Sequence, residues 1–172
     1  MSVHALFSPL RLGAIELPHR IIMAPLTRMR TDEYGGQGPL NTAYYAQRAS
    51  AALIITEATA ISARGRGLPH IPEAHTEAQM EGWGKVVSAV HAGGGRIVLQ
   101  LVHNGRASHR AYTADKSLPV GPSAIAISGK GYMPDFSFAE YEAPRPLRIE
   151  ELPGIVEEFR KAAERGMEVG FD

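Results

Sequence analysis

Three residues at the end of, or within, short apolar runs are of types that can do chemistry or admit a ligand. Thr27 follows directly on Pro25 and Leu26 at the end of the run Arg20–Leu26 (RIIMAPL). A proline cannot donate to a β-ladder, so pairing must end or bulge there. That leaves main-chain groups and the Thr27 hydroxyl free at the end of a strand, although a plain capped strand end reads the same way. Ala58 lies in the run Leu53–Ile61 (LIITEATAI), beside Glu57. A small alanine at a strand end lets a flat ligand approach the backbone. Glu57 can act as a general base, but a lone glutamate in a strand is more often the structural partner of an arginine or lysine. Gln100 sits inside the otherwise apolar run Arg96–His103 (RIVLQLVH). If buried it must be hydrogen-bonded, because an unmet polar group costs about 1–3 kcal/mol. A carboxamide offers both donor and acceptor, which suits a heterocycle with alternating carbonyl and N–H groups.

Other suggestive residues lead to weaker chemistry. His103 and His109 are separated by loop, and no HExxH or similar spacing supplies a third ligand, so no metal site is expected. Arg64-Gly65-Arg66-Gly67 reads as a solvated loop, because two arginines in a neutral protein make a poor nucleic-acid footprint. Gly93-Gly94-Gly95 follows a helix and opens a strand, the reverse of a dinucleotide-binding turn. There is no GxSxG and no P-loop.

The three runs must be strands, mostly apolar on both faces, as parallel strands covered by helices are. Helical patterns separate them. Asn41 and Thr42 can cap a helix through TAYYAQRAS. Thr76 with Gln79 forms a capping-box pattern, after which Met80, Trp83, Val87 and Val90 share a face until Gly93. A last helix is expected over Glu150–Arg165, with a stripe of Leu152, Ile155, Val156, Phe159 and Ala163, Pro153 in its first turn and Gly166 at its end. Ahead of all this, Leu10–Glu16 alternates around Gly13 as a small hairpin would. The order is repeated βα, which implies an α/β protein with a parallel sheet.

Asn104–Arg148 has no convincing periodicity beyond short strands near Ile125–Ile127 and Phe136–Tyr141. Long loops of this kind are often functional, and this one follows a strand's C-terminal end, where α/β barrels build their active sites. We expect a lid or substrate-facing insertion over 104–148. The closing MEVGFD reads as the start of a fourth strand. A whole (β/α)₈ barrel needs about 250 residues, so three βα units over 1–172 make the N-terminal half of one such domain.

Composition bounds the function. The chain has 172 residues, with 18 Lys and Arg against 18 Asp and Glu, which argues against a protein built to hold nucleic-acid phosphates or an anionic membrane. It has no cysteine, which excludes disulfides, thiolate catalysis and Cys-ligated metals. No apolar run approaches the ~20 residues of a membrane span. Residues 1–13 lack the pattern of a signal peptide, so a cytoplasmic location is the expectation.

Taken together, LFSPLRLG…LPHRIIMAPLTRMR, ITEATAIS…GRG, GWGKVVSAVHAGGGRIVLQLVHNGRASH and the final helix running into GFD resemble the Old Yellow Enzyme family of FMN-dependent NAD(P)H oxidoreductases, or ene-reductases. The resemblance runs from Leu6 to Asp172. It implies a (β/α)₈ TIM barrel holding FMN at the C-terminal ends of its strands. It implies that Pro25, Leu26 and Thr27 line the flavin, with Thr27 tuning its potential from the C4 carbonyl side. Ala58 would contact the ring through its backbone, and Gln100 would bond the pyrimidine edge. NADPH or NADH would reduce the flavin, which would then reduce the C=C bond of an activated alkene. Val102 stands where many members have tryptophan, so the substrate pocket is expected to be roomier. The family's substrate-activating pair, its proton-donating tyrosine and its phosphate loops fall beyond GFD, so no catalytic residue is assigned here.

Two readings therefore compete. In one, the chain carries part of the FMN pocket of an ene-reductase and is completed by a C-terminal half, the isolated chain being inactive. In the other it is a non-catalytic half-barrel that assembles with itself or a partner.

Overall fold

The computed structural model describes residues 3–172; Met1 and Ser2, the first residues of the stretch considered above as a signal peptide, lie outside the described residues. A short helix α1 (Val3–Leu6) leads into the hairpin β1 (Leu10–Leu12) and β2 (Ile15–Leu17), paired antiparallel with Leu12 opposite Ile15. Gly13 turns the hairpin at φ +60°, a conformation that glycine adopts without Cβ strain.

The parallel sheet expected from the three apolar runs is present, in shorter pieces. β3 (Ile22–Met23) pairs with β4 (Leu53–Ile55), which pairs with β6 (Ile97–Val98), all parallel; between them in sequence lie α2 (Pro39–Ala46), β5 (Thr59–Ala60) and α3 (Glu77–Ala92). β5 continues the second run and pairs in parallel with β7 (Leu101–Val102), which continues the third. Each long run is thus broken once, at Thr56–Ala58 and at Leu99–Gln100. The first run stops pairing at Met23, ahead of Pro25, as the missing proline donor requires.

Helix boundaries follow their chemistry. α2 starts earlier than the Asn41/Thr42 cap suggests: Gly38 is its N-cap and Pro39, pre-set for a helical first turn, opens it. α3 carries the expected capping box. The Thr76 hydroxyl accepts the Gln79 N–H (3.3 Å), and the Gln79 carboxamide oxygen accepts the Thr76 N–H (3.0 Å). Its buried face includes Met80, Trp83, Val87 and Val90, and Gly93 ends it.

After β7 the insertion is more ordered than its sequence suggests. β8 (Val120–Gly121) pairs in parallel with β11 (Arg145–Pro146), and β9 (Lys130–Tyr132) forms a hairpin with β10 (Phe138–Glu140). The strand expected near Phe136–Tyr141 is β10; the one expected near Ile125–Ile127 is absent, its place taken by Lys130–Tyr132, which has the register partner.

α4 (Leu152–Glu168) runs past Gly166. A Cβ on Gly166 would stand 3.3 Å from Leu99 Cδ2, so this glycine sits inside the helix to let it approach the third strand and does not end it. The helix ends instead near Gly170, at φ +99°. The expected apolar stripe holds at Ile155 and Phe159, both half-buried and Phe159 packed on the main core, and fails at Leu152, Val156 and Ala163. Ala162 and Gly166 are the buried positions, whereas Val156 is 67% exposed and Leu152 is exposed too. Past the helix, the Asp172 N–H donates to the Ile97 carbonyl (3.0 Å), so the chain reaches the free edge of β6 at the place of a fourth strand.

The main core lies between the sheet and α2, α3 and α4. Trp83, fully buried, is packed by Tyr45 (ring centroids 5.9 Å apart) and Phe171 (5.5 Å), with Ile54, Val86, Val90 and Ile97 around them. Each such side chain contributes about 1.5–3 kcal/mol by leaving water. A smaller cluster of Leu17, Ala52 and Leu53 closes the hairpin end.

Candidate functional site

The two breaks in the sheet are what make the site. Between β4 and β5 the ladder opens at Thr56-Glu57-Ala58, and side chains take over its bonds. The Thr56 N–H still reaches the Val98 carbonyl (3.1 Å), but the Gln100 N–H donates to the Thr56 hydroxyl oxygen (2.9 Å). The Thr59 N–H then picks the ladder up again at the Gln100 carbonyl (2.9 Å). The break places Ala58 beside Gln100 at the C-terminal ends of the second and third runs.

Glu57 is fixed deep in this junction, with 1% of its surface exposed. Its carboxylate accepts from the Arg28 guanidinium (2.6 Å), the Arg28 backbone N–H (3.1 Å) and the Tyr45 hydroxyl (3.2 Å). The Glu57 N–H donates to the Tyr45 oxygen (3.0 Å). Burial, and then the Glu57 charge, push the Tyr45 phenol well above the ordinary tyrosine range, so it stays a donor. The Arg28 guanidinium lies over the Tyr44 ring (3.7 Å). Glu57 is therefore a structural partner of an arginine, and it ties the segment after Thr27 to the second strand.

Each residue picked out from the sequence has a defined place. Pro25 and Leu26 are exposed just past β3, Leu26 by 61%. Thr27, Ala58 and Gln100 are half-buried. Among the described residues, the Thr27 hydroxyl, the Ala58 N–H and the Gln100 carboxamide have no hydrogen-bond partner. Three neighbouring strand ends thus each carry a free polar group, and the first also carries the exposed side chain of Leu26.

Loops surround these ends. The reading of Arg64–Gly67 as a solvated loop holds for Arg64, which is exposed, and fails for the rest of the segment, which is packed. Gly65 and Gly67 are buried, and a Cβ on Gly67 would fall 2.4 Å from the Ala107 carbonyl oxygen. The Ser108 hydroxyl donates to the Arg66 carbonyl (2.6 Å). Arg66 pairs with Glu73, which also meets His75 Nε2 (2.5 Å) and the Gln79 amide (3.3 Å). A cavity of about 680 Å³ opens among Tyr34, Arg66, His70, Tyr112 and Pro134, so it is walled by the loops after the first two strands and by the insertion. His70 and Phe136 stack across that boundary at 5.3 Å.

His103, at the end of the third run, and His109, in the insertion, are engaged separately. His103 Nδ1 accepts the Gly105 N–H (3.0 Å), and burial lowers its pKa. His109 Nε2 pairs with Glu142 (3.3 Å). Among the described residues no three His, Asp or Glu side chains are grouped to hold a metal ion. No described helix is long and apolar enough to cross a membrane.

The sequence profile of one family, NADH:flavin oxidoreductase / NADH oxidase, matches residues 5–172. The chain belongs to this family. Among curated relatives, 12-oxophytodienoate reductase 7 of Oryza sativa subsp. japonica is 43% identical over 171 residues, covering 97% of this chain and 43% of that protein. Flavin oxidoreductase hxnT of Emericella nidulans is 45% identical over 172 residues, covering 97% and 44%. Among solved structures, morphinone reductase in complex with tetrahydroNAD superposes with a TM-score of 0.91 at 49% identity, covering 98% of this chain and 47% of that one. The old yellow enzyme homologue from Zymomonas mobilis gives 0.93 at 42% identity, covering 98% and 46%. The chain spans less than half the length of these relatives, and its three βα units are a partial TIM barrel of their kind.

FMN is the family's cofactor. The residues present fit it in kind: a free hydroxyl, N–H and carboxamide at the strand ends suit a flat ring edged with carbonyls and ring nitrogens, and the exposed Leu26 would offer such a ring an apolar surface. Sequence reasoning missed the residues behind these strand ends, Arg28, Tyr45 and Thr56. The nearest signal was Glu57 itself, a carboxylate in an apolar strand that demanded a partner.

Proposed function

We propose that this chain forms the flavin-contacting part of an FMN-dependent oxidoreductase that takes hydride from NADH or NADPH and reduces the C=C bond of activated alkenes such as α,β-unsaturated carbonyls. The observation that carries this reading is that three unengaged polar groups, on Thr27, Ala58 and Gln100, lie at the C-terminal ends of adjacent parallel strands. That end of an α/β barrel is where active sites are built. The names of relatives, reductases of 12-oxophytodienoate and morphinone, support a carbonyl-bearing substrate, and a relative solved with tetrahydroNAD supports a nicotinamide reductant.

FMN, when bound, supplies the hydride relay between nicotinamide and alkene; the protein supplies orientation and electrostatics. In this chain Gln100 would pair with donor and acceptor atoms of the ring's polar edge. The Thr27 hydroxyl would donate to an oxygen that gains negative charge on reduction. The Ala58 main chain would bound the ring where a larger side chain would hold it off. Pro25 and Leu26 would exclude water from one border. The insertion 104–148, packed on the loop after the second strand through Ser108 and Phe136, would act as a lid.

The open edge of β3 and the short contact at Asp172 support completion by the remainder of the barrel, on this polypeptide, on a complementary chain or by self-association. The test is anaerobic reduction of a simple enone such as cyclohexenone by the full-length protein with NADH and then NADPH. Turnover with bound FMN is expected. A protein that binds FMN but leaves enones untouched overturns the assigned reaction.

A further inference from the structure

We propose that Glu57 and Thr56 are positioning residues that set the three flavin contacts relative to one another, an inference that rests on reading Thr27, Ala58 and Gln100 as those contacts. Each contact is one covalent step from the clamp or part of it. Thr27 precedes Arg28, and Arg28 is held twice by one carboxylate, through its guanidinium (2.6 Å) and its backbone N–H (3.1 Å). A side chain alone leaves a backbone free to rotate; a side chain and amide held together fix the peptide that joins Thr27 to Arg28. Ala58 follows Glu57, whose own N–H is tied to Tyr45 (3.0 Å) and whose carbonyl accepts from the hydroxyls of Thr56 (3.1 Å) and Thr59 (3.0 Å). Gln100 is reached from the same node, because its N–H donates to the Thr56 hydroxyl (2.9 Å).

The clamp stands where the sheet is weakest. The backbone ladder is interrupted at Thr56–Ala58 and Leu99–Gln100, where the bonds from the Thr56 N–H to the Val98 carbonyl and from the Thr59 N–H to the Gln100 carbonyl still cross, so side-chain bonds share in placing those strand ends. Thr56 and Glu57 are both buried, at 0% and 1% exposure, which keeps water from competing for these bonds. Met29, one residue beyond the clamped arginine, holds φ +55° without being glycine. A strained backbone of this kind persists only where its surroundings over-determine it. A core ion pair serving stability alone would need neither the bond to the Arg28 amide nor the relay to Gln100.

The test uses the full-length, FMN-loaded protein with Thr56→Val, Glu57→Gln and Tyr45→Phe, each alone and combined with Thr27→Ala. FMN dissociation constant, flavin midpoint potential and thermal midpoint are measured for all. Losing one buried bond that positions a contact should weaken FMN binding about tenfold, within the fivefold to hundredfold range of such losses. The potential shift produced by Thr27→Ala should shrink in the Glu57→Gln background, because coupled sites are not additive. If Glu57→Gln does not fold, Tyr45→Phe should show the same loss of coupling to a smaller degree. Variants that melt lower yet keep FMN affinity, potential and additivity with Thr27→Ala overturn the clamp and leave Glu57 a stability residue. A wild-type protein that takes up no FMN overturns the functional reading and the clamp with it.

Discussion

Replacing Glu73 by alanine should destabilise the protein far more than a loop substitution normally does. Glu73 lies in the loop after the second strand with 1% of its side chain exposed, and it takes the Arg66 guanidinium, His75 Nε2 and the Gln79 amide. Removing it leaves a guanidinium and an amide facing the space it filled. Breaking a buried pair by deleting one partner costs about 3–5 kcal/mol. Arg66 retains 27% exposure and can recover part of its hydration, which brings the expected loss to about 2–4 kcal/mol. At about 2.1 cal/mol/K of unfolding entropy per residue, a 172-residue unit loses its thermal midpoint at roughly 3 °C per kcal/mol, so the fall should be about 6–11 °C. Differential scanning calorimetry reads this directly. Glu73→Gln, which keeps the shape and two of the hydrogen-bond roles, should fall by less. A midpoint that moves by under 2 °C in Glu73→Ala would show that the loop does not bury this carboxylate.

Gln100→Ala should weaken FMN retention by about 1–3 kcal/mol, measured by flavin fluorescence on dilution; unchanged affinity would show that the carboxamide does not face the ring. Gly166→Val should cost about 1–3 kcal/mol in urea unfolding, because even a Cβ there meets Leu99 at 3.3 Å. His103, whose pKa burial lowers, should act on stability from the acid side. Its contribution is complete above its unfolded pKa of 6.5 and lost as pH falls through the lower folded value, despite the nearby Glu158 charge, and Arg64 works in the same direction as burial. The acid loss of stability just below pH 6.5 should shrink in His103→Gln, measured by urea titrations across pH 5–7.

Local signals in the sequence translated well into structure. The hairpin at Gly13, the Thr76/Gln79 capping box and the pairing that stops ahead of Pro25 all depend on a few adjacent residues. Errors arose where a residue answers to something distant. Gly166 looks like a helix stop, but its missing side chain makes room for Leu99. Val156 fits an apolar stripe, yet the face of α4 that meets the sheet is set by Ala162 and Gly166. The Arg64–Gly67 loop reads as solvated until Glu73 and Ser108 fold back on it. The candidate site divides the same way. The positions of Thr27, Ala58 and Gln100 at strand ends are legible in the sequence, whereas Arg28 is joined to Glu57 across 29 positions that no local pattern spans.

The central claim is that flavin sits at these strand ends. Its most direct test is the absorbance spectrum of the purified full-length protein, wild type beside a Thr27→Ala/Gln100→Ala double variant, each titrated with FMN. The wild type should carry the near-ultraviolet and blue flavin bands in a perturbed form and hold FMN near one equivalent, and the double variant should hold it at least tenfold more weakly. A wild type with no flavin bands after titration, or a double variant that binds FMN as tightly as wild type, would contradict the account.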